Sequence, residues 1–204
     1  MSVPYYNVTV PGQISLEPQH MNNNIIHNIQ TEAVRKYGGK CYENVGYIDE
    51  VVNIVNIKGG GVRTEDPSAA AIYAFGIECR MLVPTANMEI YATITGINGE
   101  VIMTQFGHLK IIVSTQNINE DKIRYMRNAF YPVDSNGRKK GEAIVNGTPV
   151  IVKILSSQIV PKQREIIALG YLESVATVEE YESALRDGDR SSGKNAEEDN
   201  IDDE

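Results

Sequence analysis

Hydrophobic and polar residues alternate most clearly between Ile72 and Ile97, where the pattern predicts two successive strands. In the first strand one face is apolar and includes Tyr73, Phe75, Ile77, Cys79, Met81 and Val83. Pro84 lacks a backbone N–H, so we expect this strand to end there. The alternation resumes at Ile90 and predicts a second strand over Glu89–Ile97. We therefore expect two small domains that meet near Pro84–Met88.

The residues before this join predict a small α+β domain. Val3–Leu16 has the pattern of an edge strand, with a bend expected at Pro11-Gly12. A helix is then predicted from apolar residues that recur every four positions and from a glycine pair that ends it: Ile25, Ile29, Ala33 and Tyr37, followed by Gly38-Gly39. Val45–Ile57 predicts a long strand, and Lys58–Arg63 predicts a glycine-rich loop after it.

The residues after the join predict a five-stranded OB-fold barrel. Asn98-Gly99 is a strong hairpin signal between Glu89–Ile97 and Val101–Phe106. The remaining three strands are predicted at Leu109–Val113, Val150–Ser157 and Glu165–Tyr171. The spacing of apolar residues in Asn119–Phe130 predicts a short helix between the third and fourth strands. This order of elements is typical of an OB barrel.

Charge is unevenly distributed along the chain. The formal net charge is −8, and residues 186–204 alone contain eight acidic and three basic side chains. The rest of the chain is therefore close to neutral, and the low pI does not exclude a nucleic-acid ligand. We expect an α+β protein with a first domain over residues 1–86 and an OB-fold domain over 87–173. An acidic tail over 174–204 is predicted to be disordered, with one or two helical turns possible near its start.

No constellation of catalytic residues is present in the sequence. The Lys58–Gly61 stretch lacks the second Gly-Lys of a phosphate-binding loop, and the three histidines do not form a ligand set. Cys41 and Cys79 do not form a CxxC pair and are interpreted as buried thiols. No apolar run approaches the ~20 residues of a membrane span. We expect a non-enzymatic intracellular protein with no metal, cofactor, membrane or small-molecule substrate.

Basic residues in the predicted barrel indicate binding of single-stranded nucleic acid. A solvated charged surface is the alternative interpretation of each one. The predicted RNA-binding residues, with two aromatic residues as stacking faces, are Tyr91, Phe106, Lys110, Arg124, Arg127, Lys153, Lys162 and Arg164.

Several stretches, taken in order, resemble one family. They are Ile14–Pro18, Val45–Ile48, Ile57–Val62, Ala70–Pro84 with Glu89–Thr95, Val152–Ile154 and Ile167–Leu172. Over roughly Tyr5–Glu173 the chain resembles the larger stalk subunit of DNA-directed RNA polymerases, a family that comprises the seventh subunit of eukaryotic polymerase II and its archaeal counterpart. None of the stretches is a strict motif, and the resemblance rests on their order and spacing.

The resemblance implies a non-catalytic subunit that acts in transcription initiation. The first domain would be a tip domain that docks on the polymerase core beneath the clamp. The expected docking segment comprises Lys58, Gly59, Gly60, Gly61, Val62 and Arg63. The subunit would pair with a smaller helical stalk subunit, and its barrel would contact nascent single-stranded RNA.

The sequence also departs from the family. The second barrel strand often carries a Gly-aromatic-Gly sequence, whereas this chain has Asn98-Gly99-Glu100-Val101. This departure weakens the RNA-binding expectation more than the fold. The source is expected to be either cellular, with a nuclear location, or a large DNA virus, with a location in the virion or cytoplasmic virus factory. Two other functions remain open: a free-standing OB-fold factor that binds single-stranded RNA, and a structural virion or scaffold protein.

Overall fold

The computed structural model describes residues 4–62, 64, 67–126, 129–134 and 137–183. The chain forms two compact units. The first contains Tyr5–Val83 together with Val160–Arg164, and the second contains Pro84–Ile159 and the chain from Glu165 onward. Within the described ranges, no helix is both long enough and apolar enough to cross a lipid bilayer.

The first unit is an antiparallel sheet with one helix. In chain order its elements are β1 (Tyr5–Leu16), α1 (Ile25–Tyr37), β2 (Lys40–Tyr42), β3 (Gly46–Val62) and β4 (Ala71–Leu82). The strand order is β1-β4-β3-β2, so β1 is an edge strand as predicted. The bend expected at Pro11-Gly12 does not interrupt it, because β1 pairs with β4 continuously from Tyr5 to Leu16.

The core of the first unit follows the alternation seen in the sequence. Phe75, Ile77, Cys79 and Met81 are buried on β4, where they pack in one cluster with Ile29 of α1 and other apolar residues. Each large side chain fully removed from water contributes about 1.5–3 kcal/mol. This burial explains why the central strand is the clearest signal in the sequence.

The glycine-rich segment is part of a strand, so the prediction of a loop at Lys58–Arg63 was wrong for its described residues. β3 continues to Val62, and Lys58, Gly59 and Gly61 pair with β4. The register shifts between Val55 and Lys58 and again between Gly59 and Gly61, as at β-bulges. Arg63 lies outside the described residues.

The second unit contains a closed barrel of five strands. They are β5 (Glu89–Ile97), β6 (Val101–Phe106), β7 (Leu109–Ile118), β10 (Pro149–Gln158) and β11 (Ile166–Val175). Going round the barrel, the order is β5-β6-β7-β11-β10, and β10 pairs again with β5. Only the β7–β11 pair is parallel among these barrel pairings. The arrangement is that of an OB-like barrel, as predicted.

A two-stranded ribbon replaces the short helix that the sequence predicted at Asn119–Phe130. Its strands are β8 (Ile123–Met126) and β9 (Ala129–Pro132), which pair antiparallel. The apolar spacing of this segment fits a helix, but its aromatic and β-branched residues favour a strand. Ile123 and Phe130 are both buried, so the ribbon keeps its apolar residues on one side.

The end of the described chain is more ordered than the sequence predicted. β11 runs to Val175 and Ala176 is buried, so the prediction of a disordered tail was wrong at its start. Residues 178–183 are helical, in agreement with the helical turns expected near the start of the tail. Thr177 Oγ1 accepts a hydrogen bond from the backbone N–H of Glu180, and Glu180 Oε2 accepts one from the N–H of Thr177. This reciprocal pair is a capping box. Residues 184–204 lie outside the described chain.

Candidate nucleic-acid interface

The outer face of β6 and β7 is where OB folds commonly bind oligonucleotides. Ile102, Thr104 and Phe106 are buried, so Met103 and Gln105 project outward from β6. Phe106 is only 6% exposed, so its ring belongs to the barrel core and offers no stacking face. The expectation that Phe106 stacks on RNA is therefore corrected.

The predicted phosphate contact on β7, Lys110, lies in an ion pair. Its Nζ is 2.6 Å from a carboxylate oxygen of Glu165, and both side chains are about half exposed. Lys110 is flanked in register by Gln105 on β6 and Ile167 on β11, neither of which is charged or aromatic. This face therefore combines one ion-paired cation with uncharged and aliphatic side chains, a poor composition for RNA.

Tyr91 and Lys153 come together on another face of the barrel. Tyr91 of β5 lies opposite Ile151 of β10, and Lys153 lies opposite Glu89 of β5 on one side and Tyr171 of β11 on the other. Tyr91, Lys153 and Tyr171 are all partly buried. The acidic neighbour Glu89 limits the attraction of this face for phosphate. The sequence had indicated Tyr91 and Lys153 but not Tyr171.

Two predicted RNA-binding residues lie outside the barrel unit. Lys162 and Arg164 belong to the segment Val160–Arg164, which groups with the first unit. The segment exchanges backbone hydrogen bonds with Cys41: Lys162 N–H donates to Cys41 O at 3.0 Å, and Cys41 N–H donates to Gln163 O at 2.7 Å. Their expected place on a basic barrel face is therefore corrected. Arg127 lies outside the described residues.

One side of the β8–β9 ribbon carries cations and a phenol ring. Arg124 and Tyr131 are register partners, and the Lys139 ammonium lies 3.8 Å from the centre of the Tyr131 ring. The Arg124 guanidinium packs against Gly137. A Cβ built on Gly137 would lie 3.1 Å from Arg124 Nη1. Arg138, Lys139 and Lys140 follow directly and are exposed. We define Arg124, Tyr131, Arg138, Lys139 and Lys140 as the ribbon patch.

The other side of the ribbon borders a cleft of about 620 Å³. Tyr125 lines this cleft, is 58% exposed, and lies 5.0 Å from the Phe130 ring between centroids. The β5–β6 turn at Asn98 and Gly99 also lines it, and in OB folds this turn is one of the ligand-binding loops. Tyr125 thus offers an exposed ring for stacking at this cleft, on the side of the ribbon opposite to the ribbon patch.

Tyr125 and Tyr131 were not among the predicted RNA-binding residues, because the sequence did not place them clearly on strands. Their signal was a local one: four aromatic or β-branched residues lie close together at Ile123, Tyr125, Phe130 and Tyr131. Such enrichment favours strands over a short amphipathic helix. The sequence shows the basic run Arg138-Lys139-Lys140, but only the structure shows that Arg124 and Tyr131 lie next to it.

The cation next to the ribbon, Lys122, is neutralised. Its Nζ lies 2.7 Å from Glu173 Oε1, which also accepts a hydrogen bond from the Asn119 amide at 3.0 Å. The hydrogen bond from Lys122 is the main reason why the pKa of Glu173 is lowered from its ordinary value. Lys122 therefore differs from the ribbon-patch cations and serves as a natural reference for them.

The predicted polymerase-docking segment is exposed on β3. Lys58, Gly59, Gly60, Gly61 and Val62 are all exposed. Gly59 and Gly60 have φ angles of +117° and +95°, which favour glycine. A Cβ at Gly59 would lie 2.5 Å from the carbonyl oxygen of Ile72, whereas one at Gly61 would meet no atom within 4 Å. Only Gly61 therefore accepts a side chain without strain.

Metal and thiol chemistry receive no support from the described parts of the chain. No group of three or more His, Cys, Asp or Glu side chains is placed to hold a metal ion there. Both thiols are buried, and desolvation raises the pKa of Cys41 and raises that of Cys79 to about 11. Thiols held in this way are protonated at neutral pH and are poor nucleophiles.

The two units follow one another along the chain. An antiparallel sheet with one helix precedes an OB-like barrel along the chain. No protein-family model matches the chain, and no curated protein matches its sequence.

Proposed function

We propose that this protein is a non-catalytic stalk subunit of a multisubunit DNA-directed RNA polymerase. The observation that supports this most is the order of units, a small α+β unit followed by an OB-like barrel, in a chain whose sequence stretches resemble that family in the same order. The first unit acts as the tip domain that docks on the core beneath the clamp. The barrel unit holds nascent RNA and aids initiation.

The docking surface in this proposal is the exposed end of β3. Its glycines allow another backbone to approach closely, and Lys58 adds a positive charge at the start of the segment. The test is recovery of large polymerase subunits with the tagged protein from its source cells. Stoichiometric recovery supports the proposal, and recovery of the protein alone contradicts it.

Gly61 offers the cleanest variant for that test. Gly61→Gln adds a side chain where nothing lies within 4 Å, whereas any side chain at Gly60 is strained by its φ of +95°. The matched control is Gly99→Gln, because a Cβ at Gly99 also meets no atom within 4 Å. We expect Gly61→Gln to lower recovery of the core several-fold and Gly99→Gln to leave it unchanged. Equal recovery of both variants would remove β3 from the docking surface.

A smaller helical subunit is the second proposed partner. α1 leaves Ile26 and Val34 exposed at 61% and 49%. Apolar side chains exposed on one helix are suited to burial against a partner. Co-expression with the other small subunits of the same polymerase, followed by size-exclusion chromatography, tests this. A heterodimer that Ile26→Ser and Val34→Ser together weaken would support it, and a heterodimer unaffected by them would place the contact elsewhere.

The ribbon patch also favours a second function, that of a free-standing OB-fold factor that binds single-stranded RNA. Exposed cations beside Tyr131, and the exposed ring of Tyr125 on the other side of the ribbon, are the features that such a factor requires. The two functions differ in what the protein binds in cells. A free-standing factor is recovered with RNA and without polymerase subunits, whereas a stalk subunit is recovered with the core after nuclease treatment as well.

A further inference from the structure

The first unit contains a cavity of about 860 Å³, which lies within the range of small-molecule sites. Its walls come from five segments of the unit: Pro11–Gln13 of β1, the end of α1, the β2 region, Ala74 of β4, and Pro161 with Lys162. Tyr37 and Tyr42 form an aromatic wall, with ring centroids 6.0 Å apart. Neither the predicted RNA-binding role nor the docking role accounts for this cavity.

Three lysines, Lys36, Lys40 and Lys162, line the cavity together with one acidic residue, Glu43. The lining therefore carries a formal charge of +2, although the chain before the acidic tail is close to neutral. Lysine binds phosphate as a point charge with three N–H donors. A positive lining with an aromatic wall suits a ligand that has a phosphate group and an apolar or ring portion.

Two of the lysines also have a structural task. Lys36 Nζ donates to Gln13 O, and Lys40 Nζ donates to the carbonyls of Arg35 and Lys36 in the last turn of α1. Cations at this position stabilise a helix C-terminus. These bonds use one donor of Lys36 and two of Lys40, so each ammonium retains at least one N–H for a ligand.

Lys162 does not form the helix-end hydrogen bonds that Lys36 and Lys40 form, and its backbone conformation is strained. Its φ is +68°, and the rim residue Glu43 has a φ of +44°. A left-handed conformation is unfavourable for a non-glycine residue, because its Cβ lies too close to the following carbonyl oxygen. Two of the five non-glycine residues with positive φ in the described chain thus lie on this one cavity. Clustered strain of this kind is characteristic of binding sites.

The phenol groups are held in place rather than free to rotate. Tyr37 Oη donates to Gln13 O at 2.8 Å and accepts from the Gln13 N–H at 2.9 Å, and Tyr42 Oη donates to Pro11 O. Burial is the main cause that raises the pKa of Tyr42, so its hydroxyl stays protonated. The aromatic wall is therefore preorganised, which lowers the entropic cost of binding.

We propose that this cavity binds a phosphorylated small molecule of about nucleotide size. The phosphate lies among the ammonium groups of Lys36, Lys40 and Lys162, and the remainder of the ligand packs on the Tyr37–Tyr42 wall. The inference is independent of the place of the protein in a polymerase. It goes against the sequence-based expectation of no small-molecule ligand.

The test is isothermal titration of the full chain with inorganic phosphate, phenyl phosphate and AMP. We expect phenyl phosphate and AMP to bind with Kd of about 1 mM or tighter. Inorganic phosphate should bind more weakly, because it lacks the part that contacts the tyrosines. Lys162→Gln should lower the affinity about tenfold, the usual loss for one charge-assisted hydrogen bond. Lys122→Gln is the control, because it removes the same charge from the barrel unit, where Lys122 is paired with Glu173.

A second variant separates ligand binding from folding. Lys162→Gly removes the ammonium and relieves the strain at a φ of +68°, so the variant should fold at least as well as the parent. Lost affinity in a fully folded Lys162→Gly protein supports the site. The proposal is overturned if none of the probes shows binding at concentrations up to about 10 times the expected Kd. It is also overturned if Lys122→Gln lowers the affinity as much as Lys162→Gln.

Discussion

RNA binding by the ribbon patch should be electrostatic, and the number of exposed cations determines how strongly the affinity depends on salt. Four basic side chains, Arg124, Arg138, Lys139 and Lys140, are exposed there. For single-stranded nucleic acid the affinity falls with salt by a logarithmic slope of about 0.7 for each phosphate contact. Four contacts give a slope of about 2.8, so affinity should fall about 50-fold between 50 and 200 mM salt.

The perturbation is the double variant Arg124→Gln with Lys139→Gln. Removal of two contacts should lower the slope to about 1.4, so that the same salt step reduces affinity only about sevenfold. Fluorescence anisotropy with a labelled oligouridylate measures both slopes. The matched control is Lys110→Gln with Lys122→Gln, which removes two charges from the same unit. Both control cations are in ion pairs, with Glu165 and Glu173, so their loss should leave the slope close to 2.8.

Equal slopes for the two double variants would mean that binding depends on net charge alone, and would contradict a specific role of the ribbon patch. The absence of salt-dependent affinity in the parent protein would contradict this role as well. Tyr125→Ala provides a further check in the same assay. Loss of one stacked base should cost about 1–3 kcal/mol, independent of salt.

Three further predictions concern stability. Gly170→Ala should destabilise the barrel by about 1–3 kcal/mol in urea unfolding, because the added Cβ would lie 2.6 Å from the Ile111 and Val152 side chains. Gly61→Ala, whose Cβ would meet no atom within 4 Å, should not destabilise the protein. Thr177→Ala should lower stability by about 0.5–2 kcal/mol through loss of the capping box, and an unchanged thermal midpoint would contradict that role. Burial raises the pKa of Cys79 to about 11, so as the pH rises the thiol ionises in the unfolded chain before it ionises in the folded protein. The free energy of unfolding should therefore fall by up to about 1.4 kcal/mol per pH unit between about pH 9 and 11. Cys79→Ala should make this decline less steep.

Elements whose signal lies within a few residues could be predicted from the sequence. The period-two pattern at Tyr73–Val83 and at Ile90–Gly96 predicted β4 and β5, and Asn98-Gly99 predicted the hairpin to β6. The four-residue repeat from Ile25 predicted α1 with its observed ends. In each case the alternation of faces or the turn geometry follows from local backbone sterics.

Features that depend on distant partners were decided by the tertiary structure. The glycines at 59–61 lie in a strand because β4 supplies a pairing partner, although glycine by itself favours a turn. The ribbon forms because Ile123 and Phe130 both reach the core from two paired strands rather than from one helix face. Phe106 faces inward because the register of β6 places Ile102 and Thr104 inside.

The candidate sites divide in the same way. The sequence shows which cations and tyrosines the chain contains. The tertiary structure determines which of them lie close together. Lys110 became an ion-pair partner, while Lys162 joined Lys36 and Lys40 around a cavity in the first unit. The physical reason is that pairing and burial energies arise between residues far apart in the chain, and no local sequence window contains both partners.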